Sequence, residues 1–165
     1  MTELDIGLGD GSGTRGAPAV HAALLPDIPS LVLYALLKLR GDVFTVEQEI
    51  TEPEIDGRDT EPGTLHMWLA HPGDKPVAYL RILREDDGPR IGRVVTVRHL
   101  RGQGHAGRLI EAALERLGDQ PVRLNAQIQA TRLYERRGFV PNGDVFDEAG
   151  IPHLPMIRPV RVATT

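Results

Sequence analysis

Residues Val94-Val95-Thr96-Val97-Arg98-His99-Leu100-Arg101-Gly102-Gln103-Gly104-His105-Ala106-Gly107-Arg108-Leu109 run from a β-branched stretch, through a glycine-rich turn, into the start of an amphipathic helix. That order suits an anion. Glycines let backbone N–H groups approach a phosphate without a Cβ in the way, and the first helical turn adds unpaired donors and the positive end of its dipole. Arg98, Arg101 and Arg108 can add charge around the rim. Gly102, Gly104 and Gly107 also spell G-x-G-x-x-G, the dinucleotide fingerprint. That fingerprint wants the strand to feed directly into the first glycine and an acidic residue about 20 positions on. Here Arg98 to Arg101 intervene, and the later place is held by Asn125.

Upstream of this segment, Leu65 to His71, Pro76 to Leu83 and Arg90 to Val97 are rich in β-branched or aromatic residues, and turn signals separate them. Three antiparallel strands fit. Downstream, Ala106, Leu109, Ile110, Ala113, Leu114 and Leu117 fall on one face of a helix that Gly118 ends. A strand over Pro121 to Ala126 follows, then a short helix over Gln129 to Arg137, and the stretch Phe139 to Val162 supplies one or two final strands. Near the start, Val20 to Leu24 reads as a strand, and a helix from Ser30 runs to a stop at Gly41. Between Val43 and Gly63 the chain carries seven carboxylates, Glu47, Glu49, Glu52, Glu54, Asp56, Asp59 and Glu61, broken by Pro53 and Pro62. It reads as an acidic, surface-lying segment. Strands first and then β-α-β-α-β predict an α/β fold on a mixed sheet.

A chain of 165 residues, 41% hydrophobic, can bury one core. Gly7, Gly9, Gly11, Gly13 and Gly16 leave residues 1–17 little to pack, so that stretch reads as a tail and 18–165 as the single domain. The formal charge of −4 gives no net attraction to nucleic acid or an anionic membrane, so any anion site must be local. With no cysteine, thiolate metal sites and a cysteine nucleophile are excluded. The six histidines, at 21, 66, 71, 99, 105 and 153, show no metal-ligand spacing. No apolar run reads as a signal peptide or a span, which makes the cytoplasm the default.

Arg101, Gly104 and Ala106 form R-x-x-G-x-A, which resembles the pyrophosphate loop of the GNAT superfamily of N-acetyltransferases. Asn125-Ala126, Ala130, Leu133-Tyr134-Glu135 and Gly138-Phe139 resemble the superfamily's later block. Arg40 to Gln48, Asp56-Gly57-Arg58-Asp59 and Gly150-Ile151-Pro152-His153 are similar to the ElaA family of GNAT proteins. The likeness spans roughly Ser30 to Met156. Thr64-Leu65-His66 departs from it, holding one histidine where the family pattern has two. The resemblance implies a GNAT acyltransferase fold, with a mostly antiparallel central sheet, flanking helices and strands splayed at the donor site. It also implies acetyl-CoA or another acyl-CoA as donor, and a small-molecule or peptide amine as acceptor. The pyrophosphate would lie on Arg101, Gly102, Gln103, Gly104, His105, Ala106, Gly107 and Arg108. The pantetheine arm would lie along the backbone of Val95, Thr96 and Val97, with Asn125 bonding its amide.

Acyl transfer from a thioester to an amine needs a neutral amine, a stabilised oxyanion and a proton for the leaving thiolate. By resemblance, Tyr134 supplies that proton. Glu47, His66 and His153 are the candidates for a base, and Glu47 can equally hold the acceptor's ammonium. The carboxylates from Glu47 to Glu61 point to a cationic or amine acceptor. Three alternatives stay open: a CoA-binding module without turnover, a Rossmann-type nucleotide binder, and transfer from an acyl-carrier protein. For the last, Arg40 to Asp59 also resembles acyl-homoserine lactone synthases. Monomer and homodimer are both compatible with the sequence.

Overall fold

Alternation of apolar residues with a period of two dictates the core of the computed structural model, which describes residues 16–160. Met1 to Arg15, most of the expected tail, lie outside the described residues. Strands β1 (Ala19–Leu24), β2 (Leu65–Ala70), β3 (Ala78–Glu85) and β4 (Gly88–Thr96) form an antiparallel meander. Strand β5 (Val122–Gln127) joins β4 in parallel, and β8 (Ile151–Arg158) follows antiparallel, with β6 (Val140–Pro141) and β7 (Phe146–Glu148) on its far side. The sheet order is β1-β2-β3-β4-β5-β8-β6. Only the β4/β5 junction is parallel, so the doubly wound sheet of a Rossmann domain is ruled out.

Alternate residues serve two cores. Met67, Leu69, Leu80, Ile82, Ile91, Leu124, Ala126 and Met156 face helix α2 (His105–Leu117) and the short α3 (Thr131–Glu135). Trp68, Tyr79 and Val95 face the other way, toward α1 (Ser30–Arg40). The periodicity of α2 places Leu109, Ile110, Ala113 and Leu114 in the first core, as the sequence predicts.

Gly41 does not stop α1. It sits at φ −63 and ψ −44, and the helix continues through Gly41–Glu47 as a π-helical turn, with Gln48 N–H donating to the Val43 carbonyl at 2.8 Å. A glycine inside a helix costs about 1 kcal/mol, and burying Val43 and Phe44 in the second core outweighs that. Nor does the acidic segment simply lie on the surface. Glu54 and Asp59 are turned inward beneath it, onto Arg40 and Arg81.

Candidate active site

The glycine loop forms as its residue types require. Gly102 and Gly104 take φ +77 and +82, a region that disfavours any side chain, and a Cβ at either would meet nothing within 4 Å. Their backbone therefore faces open space. The first helical bond of α2 runs from Arg108 N–H to Gly104 O at 3.0 Å, so the amides just before it have no partner inside the helix. Gly107 differs: it is buried, and a Cβ there would lie 2.0 Å from the Arg137 guanidinium. Arg137 donates to Gly107 O at 3.0 Å, to Leu133 O at 2.8 Å and to Glu111 at 2.8 Å, tying α3 to α2. Thus two of the three glycines leave their backbone open to a ligand and the third admits an arginine. Arg101 and Arg108 are not free rim charges. The Arg101 fork pairs with both Glu47 oxygens at 2.5 and 3.0 Å, its Nε donates to Thr96 O at 3.2 Å, and Arg108 donates to Pro18 O.

Just before this loop the sheet parts. β4 and β5 share one ladder pair, Arg90 with Arg123, and no pairing continues toward Thr96 and Gln127. A bulge sets Arg93 and Val94 against Leu80, with Arg93 at φ +54. Val97 N–H donates to Val77 O at 2.9 Å. By the alternation of an antiparallel ladder, Val95 and Val97 then turn their backbone groups to β3, while Val94 and Thr96 turn theirs toward the parting. Of the three backbone positions expected beside the donor, Thr96 therefore faces the parting, and Val95 and Val97 face β3.

A cleft of about 510 Å³ occupies the parting, lined by Gly92, Arg93 and Val94 on one side and by Leu124, Asn125, Gln127 and Tyr134 on the other. Tyr134, 6% exposed, packs its ring edge-on against Phe139 at 6.0 Å. Among the described residues its hydroxyl has no hydrogen-bond partner. Burial pushes the phenol well above its ordinary value, so it keeps its proton across the working pH range. Asn125 is exposed to the cleft on the opposite side of β5 from Leu124. Across the mouth, Gln48 and Gln127 pair their side-chain amides at 2.9 and 3.4 Å, and Gln129 adds a third bond at 2.7 Å.

The three candidates for a base fall in different surroundings. Glu47 lies at the end of the π-helical turn, and hydrogen bonds from Arg101 hold its carboxyl below the usual range. His66 is 1% exposed on β2 and does not line the cleft. Its Nε2 is 3.2 Å from Asp59 O and its Nδ1 2.7 Å from the Tyr79 hydroxyl. A carbonyl only accepts, so Nε2–H donates to it and Tyr79 donates to Nδ1. Burial keeps the ring neutral by lowering its pKa, and both nitrogens are used. His153 does line the cleft, from β8.

Around His66 runs a charge network that the sequence hid. Arg40, 1% exposed, donates to Asp59 at 2.8 and 3.2 Å, to Glu54 at 2.6 Å and to Tyr79 at 3.4 Å. Arg81 pairs with Asp56 at 2.8 Å and Asp59 at 3.0 Å, and Arg93 lies 2.8 Å from Glu54 and 3.3 Å from Asp56. Burial alone would raise Asp56 and Asp59, but hydrogen bonds from Arg81 and Arg40 outweigh it, holding Asp56 well below the carboxylate range and lowering Asp59 as well. Their contribution to stability is therefore complete above about pH 4, the ordinary Asp value, and is lost as pH falls through the lower folded values. We expect the urea midpoint to hold from neutrality to that point and then to fall; a midpoint flat to about pH 3 would show that the network carries no stability.

A family model described as an acetyltransferase (GNAT) domain matches residues 42–159. The fold and the parted strands agree with it. A crystal structure of an acyl-CoA N-acyltransferase from Pseudomonas aeruginosa superposes with a TM-score of 0.78 at 40% identity, over 86% of this chain and 99% of that one. The chain belongs to the GNAT acetyltransferase family, and within it stands beside ElaA. Escherichia coli ElaA is 42% identical over 135 residues, 78% of this chain and 88% of that protein. Its crystal structure gives a TM-score of 0.79 at 36% identity, over 86% of this chain and 99% of that one. A UPF0039 protein of Mycobacterium tuberculosis is 48% identical over 145 residues, 86% of this chain and 93% of its own length. Among the described residues, no helix is long and apolar enough to cross a membrane.

Proposed function

We propose that this chain is a cytoplasmic N-acyltransferase that moves an acetyl or short acyl group from acyl-CoA directly to an amine acceptor held in the same complex. The observation that carries the reading is the cleft through the sheet. It runs from Asn125 and the buried ring of Tyr134, whose hydroxyl has no partner among the described residues, to the acidic segment at Glu52, Glu54 and Asp56, and the Gly102–Gly104 loop follows shortly after the strand that lines one side of it. In this reading the amides from Gly102 to Gly107 hold the donor's pyrophosphate, and unpaired groups of β4 hold its arm. Asn125 reaches the pantetheine amide. Tyr134 gives its proton to the leaving thiolate, which is desolvated in the same cleft. Glu47 works through Arg101, whose side chain it fixes against the loop. An amine acceptor is favoured because Glu52 and Glu148 stand at the cleft's other rim.

Thiol release from acetyl-CoA across a panel of primary amines tests the reading. Amine-dependent release is expected. Tight CoA binding with no release for any amine would instead make the chain a binding module. For the loop, Gly104→Val is expected to abolish acyl-CoA binding while the protein stays folded. The left-handed backbone makes a side chain there cost roughly 1–2 kcal/mol, too little to unfold a domain. Calorimetry decides, and unchanged affinity would reduce the loop to a turn.

A further inference from the structure

His153 and Glu148 sit on one hairpin whose geometry leaves little freedom. β7 and β8 are joined by Ala149 and Gly150 at φ +54 and +79, the left-handed pair that a two-residue hairpin turn demands. Gly150 N–H donates to Asp147 at 2.9 Å and braces it. In the register, Phe146 stands opposite His153, and their rings lie 5.9 Å apart. Two residues beyond Phe146 on the same face comes Glu148. His153 is 7% exposed, and its Nδ1 lies 2.8 Å from Ile151 O. Since a carbonyl only accepts, Nδ1 carries a hydrogen, and in the neutral ring Nε2 then presents a lone pair. That Nε2 lies 3.5 Å from the Glu148 carboxylate, and both residues line the cleft that holds Tyr134.

In that neutral form, Nε2 and the Glu148 carboxylate are two acceptors with no donor between them. Opposite His153 on β5 stands Gln127, whose amide is occupied with Gln48 and Gln129. Across the cleft, Arg93 is engaged with Glu54 and Asp56. No cation of the described chain takes the place, and a primary ammonium has the matching chemistry, with several N–H donors and a positive charge.

Resting on the transfer reading above, we infer that His153 and Glu148 form the acceptor-amine site, with His153 as the general base. Glu148 accepts one ammonium N–H, and His153 Nε2 takes a proton from the same nitrogen and passes it to solvent. The neutral amine attacks the acyl carbon, a C–N bond forms and the C–S bond breaks. The nitrogen's second proton returns the hydroxyl proton that Tyr134 gives the thiolate. The sum is an ammonium and a thioester giving an amide, a thiol and one proton.

Nitrogen-15 NMR of histidine-labelled protein at neutral pH tests the site without needing turnover. His153 is expected to show a protonated Nδ1 and a bare Nε2, and n-butylammonium should move the Nε2 resonance to saturation, about tenfold more weakly in Glu148→Gln. In His153→Asn the new amide can still donate to Ile151 O, so the hairpin is kept. Amine-dependent thiol release should fall about 10²-fold or more with acetyl-CoA affinity unchanged, and free imidazole should restore part of it. A bound hydrogen on Nε2 in the free protein, a resonance that butylammonium leaves unmoved, or full turnover in folded His153→Asn would each overturn the assignment. Full turnover in that variant would leave the transfer reading intact. Saturable butylammonium binding at His153 in a chain that acylates no amine would support the site and sink the transfer reading.

Discussion

Arg40→Met should be the most destabilising single change in this chain, costing about 3–5 kcal/mol, as when one partner of a buried ion pair is removed. The side chain is 1% exposed, and its loss takes two hydrogen bonds from the buried Asp59, which keeps only Arg81, and one donor each from Glu54 and Tyr79. Methionine fills most of the volume, so packing loss is small and the under-compensated carboxylates dominate. For a domain of this size the drop corresponds to a melting temperature lower by on the order of 10 °C. The double variant Arg40→Met with Asp59→Asn should cost less than the sum of its parts, because the second change removes a charge that the first leaves with Arg81 alone. Thermal melts of the three variants check it; additive losses, or a single variant as stable as the parent, would mean that the network is replaceable by solvent.

Tyr134→Phe should lower amine-dependent turnover about 10²- to 10⁴-fold while leaving acyl-CoA affinity nearly unchanged, since the hydroxyl matters only once charge builds on the departing sulfur. The geometry sharpens this expectation. A phenol bonded within the core would cost about 1 kcal/mol of stability when lost, but this hydroxyl has no protein partner, so the variant should melt at or slightly above the parent temperature. Turnover, affinity and melting temperature then give three separate readouts. Parent-like turnover in the folded variant would remove Tyr134 from the chemistry and leave water as the donor.

Where local chemistry settles structure, the sequence was legible. The apolar period of α2, the β-branched runs of β2 to β4 and the helix-start glycines appear at their expected places, because each is dictated by neighbours within a few residues. Long-range decisions were hidden. Gly41 reads as a stop, yet the burial of Val43 and Phe44 carries the helix past it. Asp56 and Asp59 read as solvated charge, and only the fold brings Arg40 to Asp59 and Arg81 to both, from 19 to 25 residues away in the chain. Within the site, the glycine spacing pointed to the loop but could not separate Gly104, open to a ligand, from Gly107, which makes room for Arg137. Three possible bases were visible as residue types, and only their surroundings distinguish them. His66 spends both nitrogens on Tyr79 and Asp59, whereas His153 keeps one toward the cleft. Nothing marked Gln48 and Gln127 as partners, since 79 residues separate them.

The parting of β4 from β5 also has a mechanical side. It divides the domain into two leaves, one made of β1 to β4 with α1 and α2, the other of β5 to β8 with α3. The leaves are fastened by the Arg90/Arg123 ladder pair and by Arg123 to Asp87 at one end, by Arg137 over Gly107 on one face, and by the Gln48/Gln127 amides on the other. Beneath the parting the first core spans both leaves, with Leu124, Ala126 and Met156 packed among Ile91, Leu109 and Ile110, so the opening is confined to the backbone groups along its edges. The amide hydrogens of Val94 and Thr96, which face the parting, should therefore exchange through small openings that leave both leaves intact, well before those of β3 and β8, which exchange through larger unfolding.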